Sequence, residues 1–189
     1  MQIFKTRTEI SDHKDLISLA PEARFRRATP NMIGSTLVCQ RTLQSSSQIN
    51  NESIGFIYAS HFGEIESSTQ YLYDLKTDQM AKPILFQNSL HNSALGFVSI
   101  DLKLKGPALT VSGGRDMNQC LVDTAEGLFF MCDQLLICMS DSIPEKYQHI
   151  YSETFPDLNK TFNQSRSFLL SKTSVPFSEF VHLHDLKFI

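Results

Sequence analysis

Apolar residues occur along this chain in two patterns, short continuous runs and runs with helical spacing. Continuous runs rich in β-branched and aromatic residues are typical of buried strands. They predict strands at residues 54–60, 109–112, 134–140 and 166–171, with a looser alternation over residues 1–10 as another candidate. Helical spacing predicts helices at residues 31–43, 66–76, 88–95 and 116–132. Strands that alternate with helices predict an α/β domain with a mostly parallel, mixed sheet of about five strands and helices packed on it.

Three segments give weaker patterns. Periodicity does not decide whether residues 97–102 continue the helix before them, for which Asn88 or Ser89 is the expected cap, or form a strand. The segment 141–163 is polar and contains two prolines, so it is predicted as a loop with room for one helical turn. Residues 175–189 fit neither pattern.

The stretch from Lys82 to Asp116 is the most informative for function. Its strand at 109–112 breaks on Gly113 and Gly114 and leads directly into a helix. A strand that ends in small residues at a helix N-terminus is where many α/β enzymes place a nucleophile or bind an anion. This turn is therefore the candidate active site, and the question is whether it carries a nucleophile.

The composition is that of an ordinary soluble domain. The chain has 189 residues, of which 41% are hydrophobic and 20% charged, which suits one globular domain. The net charge of -3 gives no electrostatic reason to expect nucleic acid or an anionic membrane as partner. No stretch approaches a membrane span and the first residues, MQIFKTRTEI, lack an apolar signal region, so a cytoplasmic protein is expected. The four cysteines form no CxxC pair, so zinc is not predicted and disulfides are not indicated. No cofactor is predicted.

Four segments, in their order, resemble the β-ketoacyl synthase N-terminal-like family, whose fold is similar to the first half of the thiolase fold. The family's Ser-Val-His-Asn box corresponds here to Ser89-Leu90-His91-Asn92. The four segments read PEARFRRATPNM, IGFIYASHFGEI, KPILFQNSLHNSALGFVSI and KGPALTVSGG. With DQLLICMSDSIPEKY, which resembles the strand that follows in the family, the matches cover roughly residues 20–147. Residues 147–189 of the single domain 1–189 are then a variable C-terminal extension.

The chain departs from this family where catalysis would occur. Active ketosynthases carry a cysteine at the N-terminus of the helix after the strand, where the helix dipole lowers its pKa. Here that position falls on Gly114 or Arg115, in a degenerate turn that begins with Gly113. The nearest thiol, Cys120, lies about 7 Å further along the helix. The active enzymes also take two histidines from a second half of the fold, which a chain ending at residue 189 has no room to supply.

The resemblance thus implies a protein without catalytic residues, similar to the chain-length factors of type II fatty acid, polyketide and polyene systems. Such a protein pairs with an active ketosynthase or with itself through the edge strand, here at Leu109 and Val111. Arg24, Arg26 and Arg27 would receive an acidic acyl carrier protein, or alternatively form structural salt bridges or line the dimer contact.

The same resemblance suggests substrate-binding residues, each with a structural alternative. Arg115 would bind a phosphopantetheine phosphate or a partner's carboxylate, or else face solvent beside Asp116. Ser89, His91 and Asn92 would contact substrate, or else cap a helix and bond the backbone near the turn. Residues two apart on a helix do not face each other, which favours the structural role for Ser89 and His91.

The turn after the strand at 54–60 carries His61 and Glu64 on either side of Gly63. Strand C-termini are where α/β proteins bind ligands, but with two candidate ligands a metal site is not predicted. A turn whose carboxylate caps the next helix is the favoured interpretation.

Two other functions stay open. The chain could be an acyltransferase or condensing enzyme with Cys120 as a displaced nucleophile, or a decarboxylase that uses His91. It could also be a stand-alone acyl-binding module, which predicts an apolar pocket near the turn.

Overall fold

The computed structural model describes residues 3–44, 49–77, 80, 82–112, 114, 116–158, 162–172 and 179–185. Six strands and eight helices are found in these residues, followed by a 3₁₀ helix at Leu183–Asp185. The strands are β1 (Ile3–Asp12), β2 (Gly55–Ala59), β3 (Ala108–Val111), β4 (Gln134–Asp141), β5 (Gln164–Ser171) and β6 (Glu179–Val181). The helices are α1 (His13–Ser18), α2 (Glu22–Phe25), α3 (Pro30–Gln44), α4 (Ile65–Thr77), α5 (Pro83–Asn88), α6 (Ser93–Asp101), α7 (Met117–Leu128) and α8 (Glu145–Thr154).

The strands form one mixed sheet in the order β3-β2-β4-β5-β1-β6. The α/β class and the mixed sheet are confirmed, and β3 lies at an edge as expected. Two of the five pairings, β2 with β3 and β2 with β4, are parallel. The other three are antiparallel, so the sheet has more strands and fewer parallel pairings than expected. The strand that was not predicted is β6, which pairs antiparallel with β1.

Helices cover both faces of the central strands. On one face, α3 and α6 pack against alternate residues of β2 and β4, among them Phe56, Tyr58 and Leu136. On the other face, α7 packs against the intervening residues, among them Ile57 and Ile137. Every residue of β2 is buried because each side of the strand faces a helical layer, which explains the continuous apolar run in the sequence.

The region 83–102 contains two helices separated by a turn. α5 ends at Asn88, where Ser89 is the C-terminal cap and donates its hydroxyl to the Phe86 carbonyl at 2.7 Å. The prediction of one helix over 88–95 with Asn88 or Ser89 as its N-terminal cap was therefore wrong. Residues 97–101 belong to α6, which decides the open choice in favour of a helix.

The loop predicted for residues 141–163 contains the ten-residue helix α8, so that prediction was also wrong. Pro144 stands at its N-terminal cap position, and a proline beside a helix start is compatible with the missing intrahelical donors there. None of the residues of α8 is fully buried. After α8, β5 runs between β4 and β1, so part of the region 147–189 belongs to the sheet itself.

Candidate functional site

The carboxyl ends of the parallel strands β3, β2 and β4 meet at one edge of the sheet. The segment after β2, residues 60–64, is joined to the end of β3 because the Ser60 N–H donates to the Val111 carbonyl at 3.1 Å. Asp141 ends β4 at the same edge. Ligand sites of open α/β sheets form at this edge, so the turn 60–64, Asp141 and the start of α7 together form the candidate site.

Asp141 organises the turn by accepting four hydrogen bonds. Its carboxylate accepts from the Ser60 hydroxyl at 2.5 Å, the backbone N–H groups of His61 and Phe62 at 3.1 and 3.0 Å, and His61 Nδ1 at 2.9 Å. Since a carboxylate only accepts, His61 carries its proton on Nδ1 in this contact. Ser60 donates to Asp141 and not to the imidazole, so these three residues do not form the Ser-His-Asp arrangement of a hydrolase.

Gly63 is where the Ser89–Asn92 box meets the turn. Its φ is +58°, and a Cβ at this position would lie 2.6 Å from His91 Nδ1. The Gly63 carbonyl also accepts from Asn31 Nδ2 at 3.2 Å. His91 therefore packs against the backbone of the turn 60–64. The bond to the backbone near the turn before α7, given above as its structural alternative, stays a prediction.

Substituting Gly63 with alanine is expected to destabilise the protein by about 2–4 kcal/mol, because the left-handed conformation and the contact with His91 both penalise a Cβ. Urea unfolding followed by circular dichroism measures the loss. Gly96→Ala is the control, since an added Cβ meets nothing within 4 Å and alanine is favoured over glycine in a helix by about 0.5–1 kcal/mol. Adding His91→Ala to Gly63→Ala should recover part of the loss, and a full-size loss in the double variant would contradict the role given to His91.

Glu64, the last residue of the turn, carries a buried carboxyl group. The residue is 4% exposed, and burial raises the pKa of its carboxyl to about 7, while hydrogen bonds with Thr29 and Asn31 lower it. The charges of Glu66 and Asp141 raise the pKa further. One oxygen, Oε1, has no hydrogen-bond partner among the described residues.

A buried polar network continues from the turn into the core. Asn31 Oδ1 accepts from the Ser140 hydroxyl at 2.7 Å, and His13 Nε2 lies 3.0 Å from Ser140 Oγ and 2.9 Å from Ser165 Oγ. Burial lowers the pKa of His13 to about 4, so this histidine is neutral near pH 7. The network fixes Asn31, and through it the Gly63 carbonyl, relative to β4 and β5.

The degenerate turn before α7 is described only in part. Gly113 and Arg115 lie outside the described residues, and Gly114 is exposed with open space where a side chain would begin. Cys120 is exposed on α7, one position before the buried Leu121, so its thiol is on the side of the helix away from the core. The described part of the turn therefore presents no thiol.

The remaining sequence candidates are dispersed. Ser89 is a helix cap, and Asn92 is exposed at the start of α6. Arg24 adopts the structural alternative: its guanidinium bonds both oxygens of Asp101 and, at 2.9 Å, Gln40 Oε1, and the bond to Asp101 raises its pKa. The other two arginines, Arg26 and Arg27, are exposed. On β3, Leu109 is exposed and Val111 is buried.

An aromatic cluster attaches α8 to the turn. The Phe62 ring packs edge-on against Tyr151, Phe155 and Phe162, with centroid distances of 5.0, 5.2 and 5.8 Å. A cleft of about 330 Å³ lies between this ring and α8, lined by Phe62, Ile150, Tyr151, Thr154 and Phe155. The apolar space at this edge thus borders α8.

Asp141 and Asn31 were missed by the sequence reasoning. Asp141 directly follows the strand predicted at residues 134–140, as His61 follows the strand predicted at residues 54–60. Polar residues at the ends of parallel strands are expected to meet. That signal was available for Asp141, whereas the position of Asn31 inside a helix offered none.

Comparison with known families identifies the family of the chain. Residues 11–179 match the family described as "Beta-ketoacyl synthase, N-terminal domain". The chain belongs to this family. No curated protein matches the sequence. In the described residues, every helix is too short or too polar to cross a membrane.

Solved structures share the thiolase-like fold. A ketosynthase in complex with its chain length factor from Xenorhabdus doucetiae has 18% identity and a TM-score of 0.71, covering 92% of this chain and 80% of that chain. The ishigamide ketosynthase/chain length factor has 12% identity and a TM-score of 0.70, covering 92% and 63%. A type II PKS acyl-carrier protein in complex with its ketosynthase bound to the hexaketide has 12% identity and a TM-score of 0.68, covering 90% and 62%. At these identities the likeness concerns the fold alone.

Proposed function

We propose that this ketosynthase-family protein is catalytically silent and pairs with an active ketosynthase-type chain, in the manner of a chain length factor, or with itself. The observation that carries the proposal is the absence of a thiol where β3 meets α7. The sequence there, residues 112–117, reads SGGRDM. A nucleophile further along the helix loses the helix N-terminal field that would activate it.

The position of β3 supports the pairing. It lies at the edge of the sheet. Phe56 N–H donates to the Pro107 carbonyl and Ser60 N–H to the Val111 carbonyl, so by the alternation of a parallel ladder the odd residues of β3 face β2. Ala108 and Thr110 then direct their N–H and C=O groups outward. An edge strand of this kind is a template for another chain.

The α4–α5 hairpin, residues 65–88, supports the pairing independently. On α4, Leu72 and Tyr73 are 64% and 62% exposed, whereas Asp74 is 8% exposed. A helix that faces solvent normally shows the opposite arrangement. Further large apolar side chains are exposed at Leu75, Phe86 and Met80, the last of these in the connection between α4 and α5. Exposed apolar patches of this kind mark interaction sites.

Carrier-protein contact belongs to the same proposal. With Arg24 bonded to Asp101 and Gln40, the exposed Arg26 and Arg27 are the cations of this segment that would meet an acidic acyl carrier protein. Substrate contact by Ser89, His91 and Asn92 stays part of the proposal, as does a phosphopantetheine phosphate or a partner's carboxylate at Arg115. The helix cap at Ser89 and the packing of His91 on Gly63 favour structural roles for these two residues.

The test of silence is intact mass spectrometry of the chain after incubation with acyl-carrier-protein thioesters. We expect no acyl adduct, and an active ketosynthase handled in parallel is the positive control. A mass increase that disappears in Cys120→Ala would overturn the proposal in favour of a displaced nucleophile, which the exposure of that thiol would permit. Co-expression with a ketosynthase tests the pairing.

A further inference from the structure

The α4–α5 hairpin is anchored to the rest of the protein mainly at its root. α4 buries only Ser67 and Asp74, and α5 buries none of its residues. The ring contact between Tyr71 and Phe86, at 5.7 Å, joins the two helices to each other and not to the sheet. Elements with so few buried contacts open at a lower free energy than the core does.

Glu64 stands at that root, immediately before α4. Its carbonyl accepts the N–H of Ser68, in the first turn of α4, at 3.0 Å. Its side chain points inward, where it meets the hydroxyl and amide groups of Thr29 and Asn31. A carboxylate buried to this degree without a cation is costly unless it stays protonated.

The charged and titratable groups around Glu64 do not include a compensating cation in the described structure. Glu66 on α4 and Asp141 on β4 both raise its pKa. Tyr58 on β2 also lies close, since burial and, after it, the charge of Glu64 raise the pKa of its phenol. His91 packs on the neighbouring Gly63 from the segment before α6, and the imidazole of His61 is committed to Asp141 through Nδ1.

We infer that ionisation of Glu64 opens the α4–α5 hairpin at its root, so that this chain contains a pH-dependent local switch. To reach water the carboxylate must move, and Glu64 cannot move without the first turn of α4. The sheet is expected to stay folded when the hairpin opens, because β2 and β4 are buried on both faces. That the switch would loosen a pairing surface rests on the proposed function, but the opening itself does not.

The direction of the pH effect on hairpin opening follows from the difference in proton binding between the closed and open forms. The pKa of Glu64 is about 7 in the closed form and has the ordinary value of 4.5 once the group is exposed, so the closed hairpin binds the proton more tightly. The stabilisation from Glu64 is complete below about pH 4.5, declines as the pH rises toward 7, and changes no further above that. The opening equilibrium should increase about tenfold per pH unit between roughly pH 5 and 7.

Amide hydrogen exchange of the purified full chain at pH 5, 6, 7 and 8, corrected for intrinsic rates, tests this without any partner. We expect residues 65–88 to lose protection up to pH 7 and then level off, while β2 and β4 stay protected. Glu64→Gln should remove the pH dependence, because the amide keeps the shape without the charge. Glu66→Gln, on α4 and exposed, is the matched control and should keep the pH dependence, with its midpoint moved to lower pH because the charge of Glu66 raises the pKa of Glu64.

Two results would overturn the inference. One is a pH dependence in residues 65–88 that Glu64→Gln shares with the native chain. The other uses the native chain alone: carboxyl carbon NMR that finds Glu64 titrating at its ordinary value near 4.5. Loss of ketosynthase pairing at every pH would count against the proposed function and leave this inference standing.

Discussion

Replacing Asp141 with alanine is expected to destabilise the protein by about 3–5 kcal/mol, a large part of a typical domain's total stability. The substitution leaves the Ser60 hydroxyl, two backbone N–H groups and His61 Nδ1 without the acceptor they share. Buried donors that lose their partner cost about 1–3 kcal/mol each before the turn relaxes. Urea unfolding followed by circular dichroism measures the effect without adding salt.

Asp133→Ala is the matched control. Asp133 also carries an ion pair, with Lys172 at 3.1 Å, but its side chain is 81% exposed, and exposed pairs contribute at most about 1 kcal/mol. Asp141→Asn should fall between the two, since the amide keeps one acceptor but directs its NH₂ group at a donor. Equal losses for Asp141→Ala and Asp133→Ala would show that the turn does not depend on this carboxylate.

The central strands could be predicted because both faces of the sheet are covered. β2 and β4 are buried along nearly their whole length. Because both faces of each strand are buried, their residues form a continuous apolar run in the sequence. Strand direction has no such signature. The antiparallel pairing of β1 with β5 joins residues more than 150 positions apart. The hydrophobic pattern of neither strand identifies the strand with which it pairs.

The helix α8 was missed because its stabilising contacts are not local. Its anchors, Tyr151 and Phe155, pack on Phe62, which lies about 90 positions earlier in the chain. A packing partner that distant in sequence leaves no hydrophobic periodicity within the segment 141–163 from which the helix could be predicted. The division between α5 and α6 was missed for a different reason, since Ser89 can cap either end of a helix and the sequence does not state which.

The parts of the site that lie directly after a strand in the sequence could be predicted. The degenerate turn before α7 could be located from residue order alone, as could His61 and Glu64 after β2. The side-chain contacts could not. The buried carboxyl of Glu64 is hydrogen-bonded to Thr29 and Asn31, and His91 packs on Gly63, which has a positive φ. Both are set by how α3 and the segment before α6 meet the turn.

Under the proposed pairing, substituting Thr110 with proline is expected to weaken the complex with a ketosynthase at least tenfold. Ser60 N–H and Phe56 N–H bond the carbonyls of Val111 and Pro107, so Thr110 is one of the residues whose N–H points away from β2. Proline removes that donor and places a ring where the partner strand would lie, which costs about 2–3 kcal/mol. The measurement is the Kd by analytical ultracentrifugation or by titration calorimetry.

Thr110→Val is the control, because it keeps the N–H and the branched shape and should pair normally. The stability of Thr110→Pro alone should change little, since the in-chain ladder uses the odd residues of β3. The comparison also separates the two surfaces that support pairing. If Thr110→Pro pairs as well as the native chain while Phe86→Asp, on the exposed face of α5, abolishes the complex, then the partner covers the α4–α5 hairpin and not the sheet edge. If neither substitution weakens the complex, the partner binds elsewhere and the pairing inferred from the edge strand is wrong.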